Sequence, residues 1–170
     1  MNTFRRIKIF LFMKKKSQFL FIEALFYLGI ARILKSLPFH RIVHLLGEEN
    51  KETTNQTPIS LTDRKALIEI SQAINTMSRY TLWESMCLVK AIACMKMLEK
   101  RRIESTLYLG TAKDYTGSMI AHAWLRSGPY YLTGYEEKEK FTVVSKFANI
   151  LGERHKKEKI RNGQLYTKNR

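Results

Sequence analysis

Cys87 and His122 are the two residues of this chain whose types and settings suit nucleophilic catalysis. Cys87 opens an apolar run that reads as a helix to about Lys100. A thiol in the first turn of a helix meets unpaired N–H groups and partial positive charge, which favour the nucleophilic thiolate. The same N–H groups can hold the oxyanion of a tetrahedral intermediate. His122 lies between Ala121 and Ala123, beside Trp124, in a run that reads as a strand. A strand histidine facing a helix-start cysteine puts nucleophile and base on separate rigid elements. Each residue also has a structural reading. A lone cysteine on an apolar helix is commonly a small core residue, and a lone strand histidine is commonly structural too. Cys94, deeper along the same helix, reads as core. Helical spacing sets the two cysteines about 10 Å apart in rise, too far for a disulfide. With no disulfide framework, a reducing compartment is expected. His40, His44 and His155 have no partner in the pattern. There is no Cys/His ligand cluster and no Gly-rich phosphate loop, so neither a metal nor a cofactor is expected.

The elements that must position this pair follow from periodicity. Residues 1–16 read as a basic arm and 17–36 as a helix stopped by Pro38, with a further short turn over 39–46. Residues 48–58 are polar, lack periodicity and end in proline, so they read as a loop or linker. Ser60-Leu61-Thr62-Asp63 is an N-cap signal, with Thr62 as the cap of a helix carrying Leu67, Ile70, Ile74 and Met77. Ser85 reads as the cap of the cysteine helix. That helix is apolar nearly all round, which makes it central and buried. The period then changes to two. Strands are expected at 105–110, 119–126, 129–133 and 141–145, and residues 112–118 read as a loop. Helices first and strands afterwards mean an α+β fold with an antiparallel sheet. One domain is expected over 17–150, helical to residue 100 with its sheet at 105–147, followed by a basic tail at 151–170.

The chain has 170 residues, 45% of them apolar, enough for one domain with a real core. Thirty Lys and Arg against fifteen Asp and Glu give a net charge of +15. Such a surface suits a polyanionic partner. No helix-turn-helix, finger or aromatic RNA-platform motif is present, so no nucleic acid partner is expected. The apolar stretch from Phe19 to Leu34 is interrupted by Glu23 and closed by Arg32 and Lys35. It reads as a helix packed on a core, with peripheral membrane contact as the alternative.

The joint pattern is more specific than either half. Trp83-x-Ser85-x-Cys87-Leu88-x-x-Ala91, Leu107-x-Leu109-Gly110, Ala121-His122-Ala123-Trp124-Leu125 and Leu132-Thr133-Gly134 resemble the leader peptidases of lasso-peptide biosynthesis. These are the stand-alone, transglutaminase-like B proteins of bacterial lasso clusters. The resemblance runs from about Phe19 to Phe147. It implies a papain/transglutaminase-like fold, with the Cys87 helix packed on an antiparallel sheet that carries His122. It implies a cytoplasmic cysteine peptidase that cuts a lasso precursor peptide at its leader–core junction. Cys87 would attack the carbonyl, and His122 would move the proton. The implied partners are the precursor, a leader-recognition protein that delivers it, and an ATP-dependent lasso cyclase that takes the released core. A Cys-His acyltransferase and a non-catalytic basic scaffold are the rival readings.

One departure concerns the third catalytic group. Many members carry an Asp on the strand after the His, and here no Asp follows His122. A two-residue turn at Ser127-Gly128 would pair Arg126 with Pro129 and His122 with Thr133. Thr133, a backbone carbonyl near Gly134, or a carboxylate from Glu136 or Glu137 are the candidates to orient the imidazole. Asp114 is a further one. Both glutamates also read as part of a solvated charged turn. Trp124 is expected to pack beside the base, and Trp83 to be structural. Tyr130 and Tyr131 should point to opposite faces, one of them toward the cleft.

Overall fold

A computed structural model describes residues 12–55, 59–83 and 86–151. The expected basic arm lies mostly outside these residues, as does nearly all of the tail. The first helix, α1, spans Lys15–Ser36. Leu37 turns extended because the residue before a proline is kept out of the helical region. Pro38 then opens a one-turn α2, Phe39–Ile42, continued by a 3-10 turn at Val43–Leu45. α3 covers Leu61–Met77 and α4 covers Cys87–Lys100.

The cap of α3 is Ser60, not Thr62. Ser60 Oγ accepts from the Asp63 N–H at 3.0 Å and donates to the Asp63 carboxylate at 2.8 Å. Ser60 wins because it is the residue with extended backbone just before the helix, three positions ahead of an acid. At α4 the cap position is Met86, with extended backbone and no side-chain cap; Ser85 lies outside the described residues.

α4 is buried on almost every side, as its pattern implies, by Val89, Ala91, Ile92, Ala93, Cys94, Met95, Met97 and Leu98. It packs against α1, α3 and the sheet. Glu23, the acid inside the apolar helix α1, locks the α1–α4 pair. Arg101 grips it with two nitrogens, at 3.1 and 2.5 Å, and Lys100 adds a third contact at 3.0 Å.

The sheet is antiparallel throughout, in the order β1-β5-β2-β3-β4. Its strands are β1 (Glu48–Glu49), β2 (Ser105–Lys113), β3 (Met119–Ser127), β4 (Tyr130–Thr133) and β5 (Thr142–Asn149). The architecture is α+β, as expected. Leu107, Ala123, Leu125 and Phe147 join the helical core, and by strand alternation Tyr108, Trp124 and Arg126 turn to the other face.

That second face corrects the reading of residues 48–58 as a plain polar linker. β1 pairs with β5, and Thr53 is buried against Thr106. The cause is Arg126, only 1% exposed, which spends its guanidinium on Tyr108 Oη, Asn55 Oδ1, Glu52 Oε1 and the carbonyls of Thr53 and Gly128. A buried guanidinium needs acceptors, and this polar segment supplies three of them. A sequence without periodicity does not announce such a role.

Candidate active site

Four residues, 101–104, connect α4 to β2, so α4 runs back antiparallel to β2. Lys96, near the end of α4, bonds the Leu45 carbonyl beside β1, at the level where β2 begins. About 20 Å of helix spans roughly six strand residues. Cys87, the first residue of α4, therefore comes to the end of the sheet where Gly110 pairs with His122. Cys87 is half-buried against the core; Cys94 is fully buried, and burial pushes its thiol up to about 12. Only Cys87 has both exposure and a helix N-terminus.

His122 is held on three sides. Its Nε2 lies 2.8 Å from the Gly134 carbonyl oxygen. Its ring stacks on Phe141 at 4.9 Å and faces Trp124 at 6.0 Å. Trp124 in turn stacks on Tyr108 at 5.6 Å. Trp124 does pack beside His122, and the imidazole belongs to this aromatic row, on the sheet face opposite the one that holds Ala123, Leu125 and the packed helices, so the expected facing of His122 and Cys87 is not observed. The sequence marked Phe141 only as the first residue of a strand; the strand in fact starts at Thr142, and nothing in the sequence announced the ring's contact with His122. Gly110 makes the row fit: a Cβ there would come within 2.9 Å of the Trp124 ring and 3.0 Å of Phe141. No hydrogen bond joins the thiol and the imidazole among the described residues.

The hairpin register differs from expectation. The turn is Gly128-Pro129, not Ser127-Gly128, so Ser127 pairs with Tyr130 and Arg126 with Tyr131. A bulge then sets Leu125 opposite Thr133. Thr133 is thus not paired with His122; it is 3% exposed and its hydroxyl has no partner. The bulge absorbs one residue, which a count along two regular strands cannot foresee. β4 ends at Thr133, leaving β3 open at His122 for the Gly134 carbonyl to approach from the side.

The carboxylate candidates are elsewhere engaged or exposed. Glu136 and Glu137 lie on an exposed 3-10 helix, Tyr135–Lys140, and Glu137 pairs with Lys140 at 3.4 Å. Asp114 closes its own turn, accepting from the Thr116 hydroxyl and from the Thr116 and Ser118 amides. The Thr116 hydroxyl foremost holds its carboxyl below the ordinary range. Among the described residues no carboxylate bonds His122 and no acid–His–Cys group could hold a metal ion. Tyr130 packs on the core with Arg64 over its ring. Tyr131 is on the outside with Tyr135 and Lys138. Trp83 packs toward Gly29 of α1 and is partly buried, its indole N–H without a partner among the described residues.

A half-buried thiol at a helix start and a strand histidine held by a backbone carbonyl are the two reactive side chains of this α+β fold. Residues 24–146, well over half of the chain, match the transglutaminase-like superfamily, and the chain belongs to it. That superfamily includes cysteine peptidases and acyltransferases, usually built on Cys-His-Asp. No curated protein and no solved structure matches the chain.

Proposed function

We propose that this protein is a cysteine peptidase that removes the leader from a ribosomally made lasso precursor. The reading rests on the Ser-x-Cys-Leu and Ala-His-Ala-Trp motifs within a transglutaminase-like chain, with Cys87 at a helix start and His122 on a strand. Cys87 Sγ attacks the carbonyl carbon at the leader–core junction. α4's first N–H groups hold the oxyanion. A carbonyl only accepts hydrogen bonds, so Gly134 O requires the proton on Nε2 of the neutral imidazole. Nδ1 is then the free lone pair that takes the thiol proton and returns it to the departing amine. Water hydrolyses the thioester. The reading requires the imidazole to come to the thiol in the substrate complex, since the two are not bonded here. The Gly134 carbonyl, not a carboxylate, bonds the imidazole, so the proposed machinery is a Cys-His dyad.

The test is a mass spectrum of a lasso precursor incubated with this protein and a leader-binding partner, beside Cys87→Ala and His122→Ala. Junction cleavage lost in both variants is the expected result. Cleavage by Cys87→Ala would mean another nucleophile. Transfer to an amine would add that amine's mass where hydrolysis adds water. A scaffold would keep its effect in Cys87→Ala.

A further inference from the structure

We propose that the outer face of α1 docks flat on an anionic lipid surface. This inference does not rest on the peptidase reading. α1 is apolar on two sides. Ala24, Leu28 and Ala31 are sealed against the other helices. On the outer side Phe19 is 70% exposed, Ile22 55%, Phe26 62% and Ile33 66%. Their spacing of three, four and seven puts them on one stripe, about 20 Å long. Leu37 continues the stripe past the helix end, still exposed. A contiguous apolar stripe of this size marks a docking site.

Charge identifies what docks there. Lys14, Lys15 and Lys16 stand exposed at one end of the stripe, and Arg32, Lys35 and Arg41 lie around the other. The two acids nearest the helix are already committed, Glu23 to Lys100 and Arg101, and Glu69 to Lys16. An apolar stripe bracketed by cations fits a bilayer interface, where phenylalanines enter the acyl boundary and lysines meet phosphate. A second copy fits worse, because either orientation brings cations against cations in a chain of net charge +15. α1 is long and apolar enough to cross a membrane by length and composition. Its packed side and the Glu23 clamp hold it along the protein instead, so it lies on the bilayer.

The experiment is cosedimentation of the full chain with vesicles of phosphatidylcholine alone or with 30% phosphatidylglycerol (about one anionic lipid in three). Expected are binding to the anionic vesicles, weakening as salt rises, and at least tenfold weaker binding by Phe19→Ser/Phe26→Ser. Both sites are on the outside, so the variant should keep the far-UV spectrum of the parent. Hydroxyl-radical footprinting of the unmodified protein gives a second readout: Phe19 and Phe26 should be protected by anionic vesicles. Four outcomes overturn the proposal. They are no binding, undiminished binding by the double variant, no protection of either phenylalanine, and a dimer in the absence of lipid that the double variant disperses.

Discussion

The His122 imidazole and the Gly134 carbonyl are locked together by the backbone of both residues. Gly134 has φ +68°, and a Cβ there would run into the Ala123 carbonyl and approach His122 Nε2 to 3.1 Å. Only glycine satisfies both the left-handed backbone and the close approach.

Gly134→Ala is therefore expected to lower stability by about 1–3 kcal/mol and to cut turnover at least tenfold. Gly134→Asn separates the two causes. Asparagine tolerates the left-handed region, so it would rescue the protein if backbone strain were the whole effect. It should not rescue, because its Cβ meets the same carbonyl. Denaturant titrations and initial rates of the three proteins check this. The nitrogen chemical shifts of His122 should report Nε2–H in the neutral form.

The two cysteines should differ sharply in reactivity. Cys94 is fully buried, and its thiol is pushed up to about 12 by that burial. Cys87 is half-buried at a helix start. Iodoacetamide near neutral pH should label one cysteine in the native protein and two in denaturant. Native Cys87→Ser should take no label. Labelling of Cys94 in the native state would mean that the helical core opens locally.

The elements that carry Cys87 and His122 were legible in the sequence because they are periodic. The period of α4 places Cys87 at a helix start, and alternation along β3 separates His122 and Trp124 from Ala123 and Leu125. What escaped was set by contacts between distant segments. The β3–β4 register is set by a turn at Gly128-Pro129 and a bulge at Leu125/Arg126 beyond it. The order of residues 48–55 depends on an arginine some seventy residues away. Phe141 reaches His122 only through the 3-10 helix between β4 and β5.

The Arg126 network carries a stability prediction. Three of the five guanidinium hydrogen bonds are buried, and those to Asn55 and Glu52 are part-buried. Arg126→Ala removes them and leaves buried carbonyls and hydroxyls unmatched, a loss of about 3–5 kcal/mol. Arg126→Lys should recover little, since a point charge cannot reach five acceptors fixed for a planar fork. Urea melts of the three proteins measure the difference. The alanine variant should also expose residues 50–55 to proteolysis first, because Glu52, Thr53 and Asn55 are tied down by that side chain. Near-native stability in Arg126→Ala would mean that the loop holds itself.

Acid should destabilise the fold through two glutamates. At Glu23, burial is the largest single influence and raises the carboxyl, but Arg101 and Lys100 together outweigh it and hold it below 4.5. At Glu52 burial again pushes up, and Tyr108, Lys146 and Arg126 together pull below the same value. A carboxyl depressed in the folded state contributes its stability above its unfolded value. That contribution is lost as pH falls through the folded value. Stability should thus decline as pH drops below about 4.5, beyond what the parent loses through its other acids. Glu23→Gln and Glu52→Gln should each start less stable at pH 7 and fall less steeply in acid, converging on the parent once its own carboxyls are protonated. Both groups are partly screened by solvent, so the effect of each is expected to be modest. Thermal melts from pH 7 to pH 2 would decide it. Parallel curves for parent and variants would mean that the clamps on Glu23 and Glu52 contribute packing, not charge.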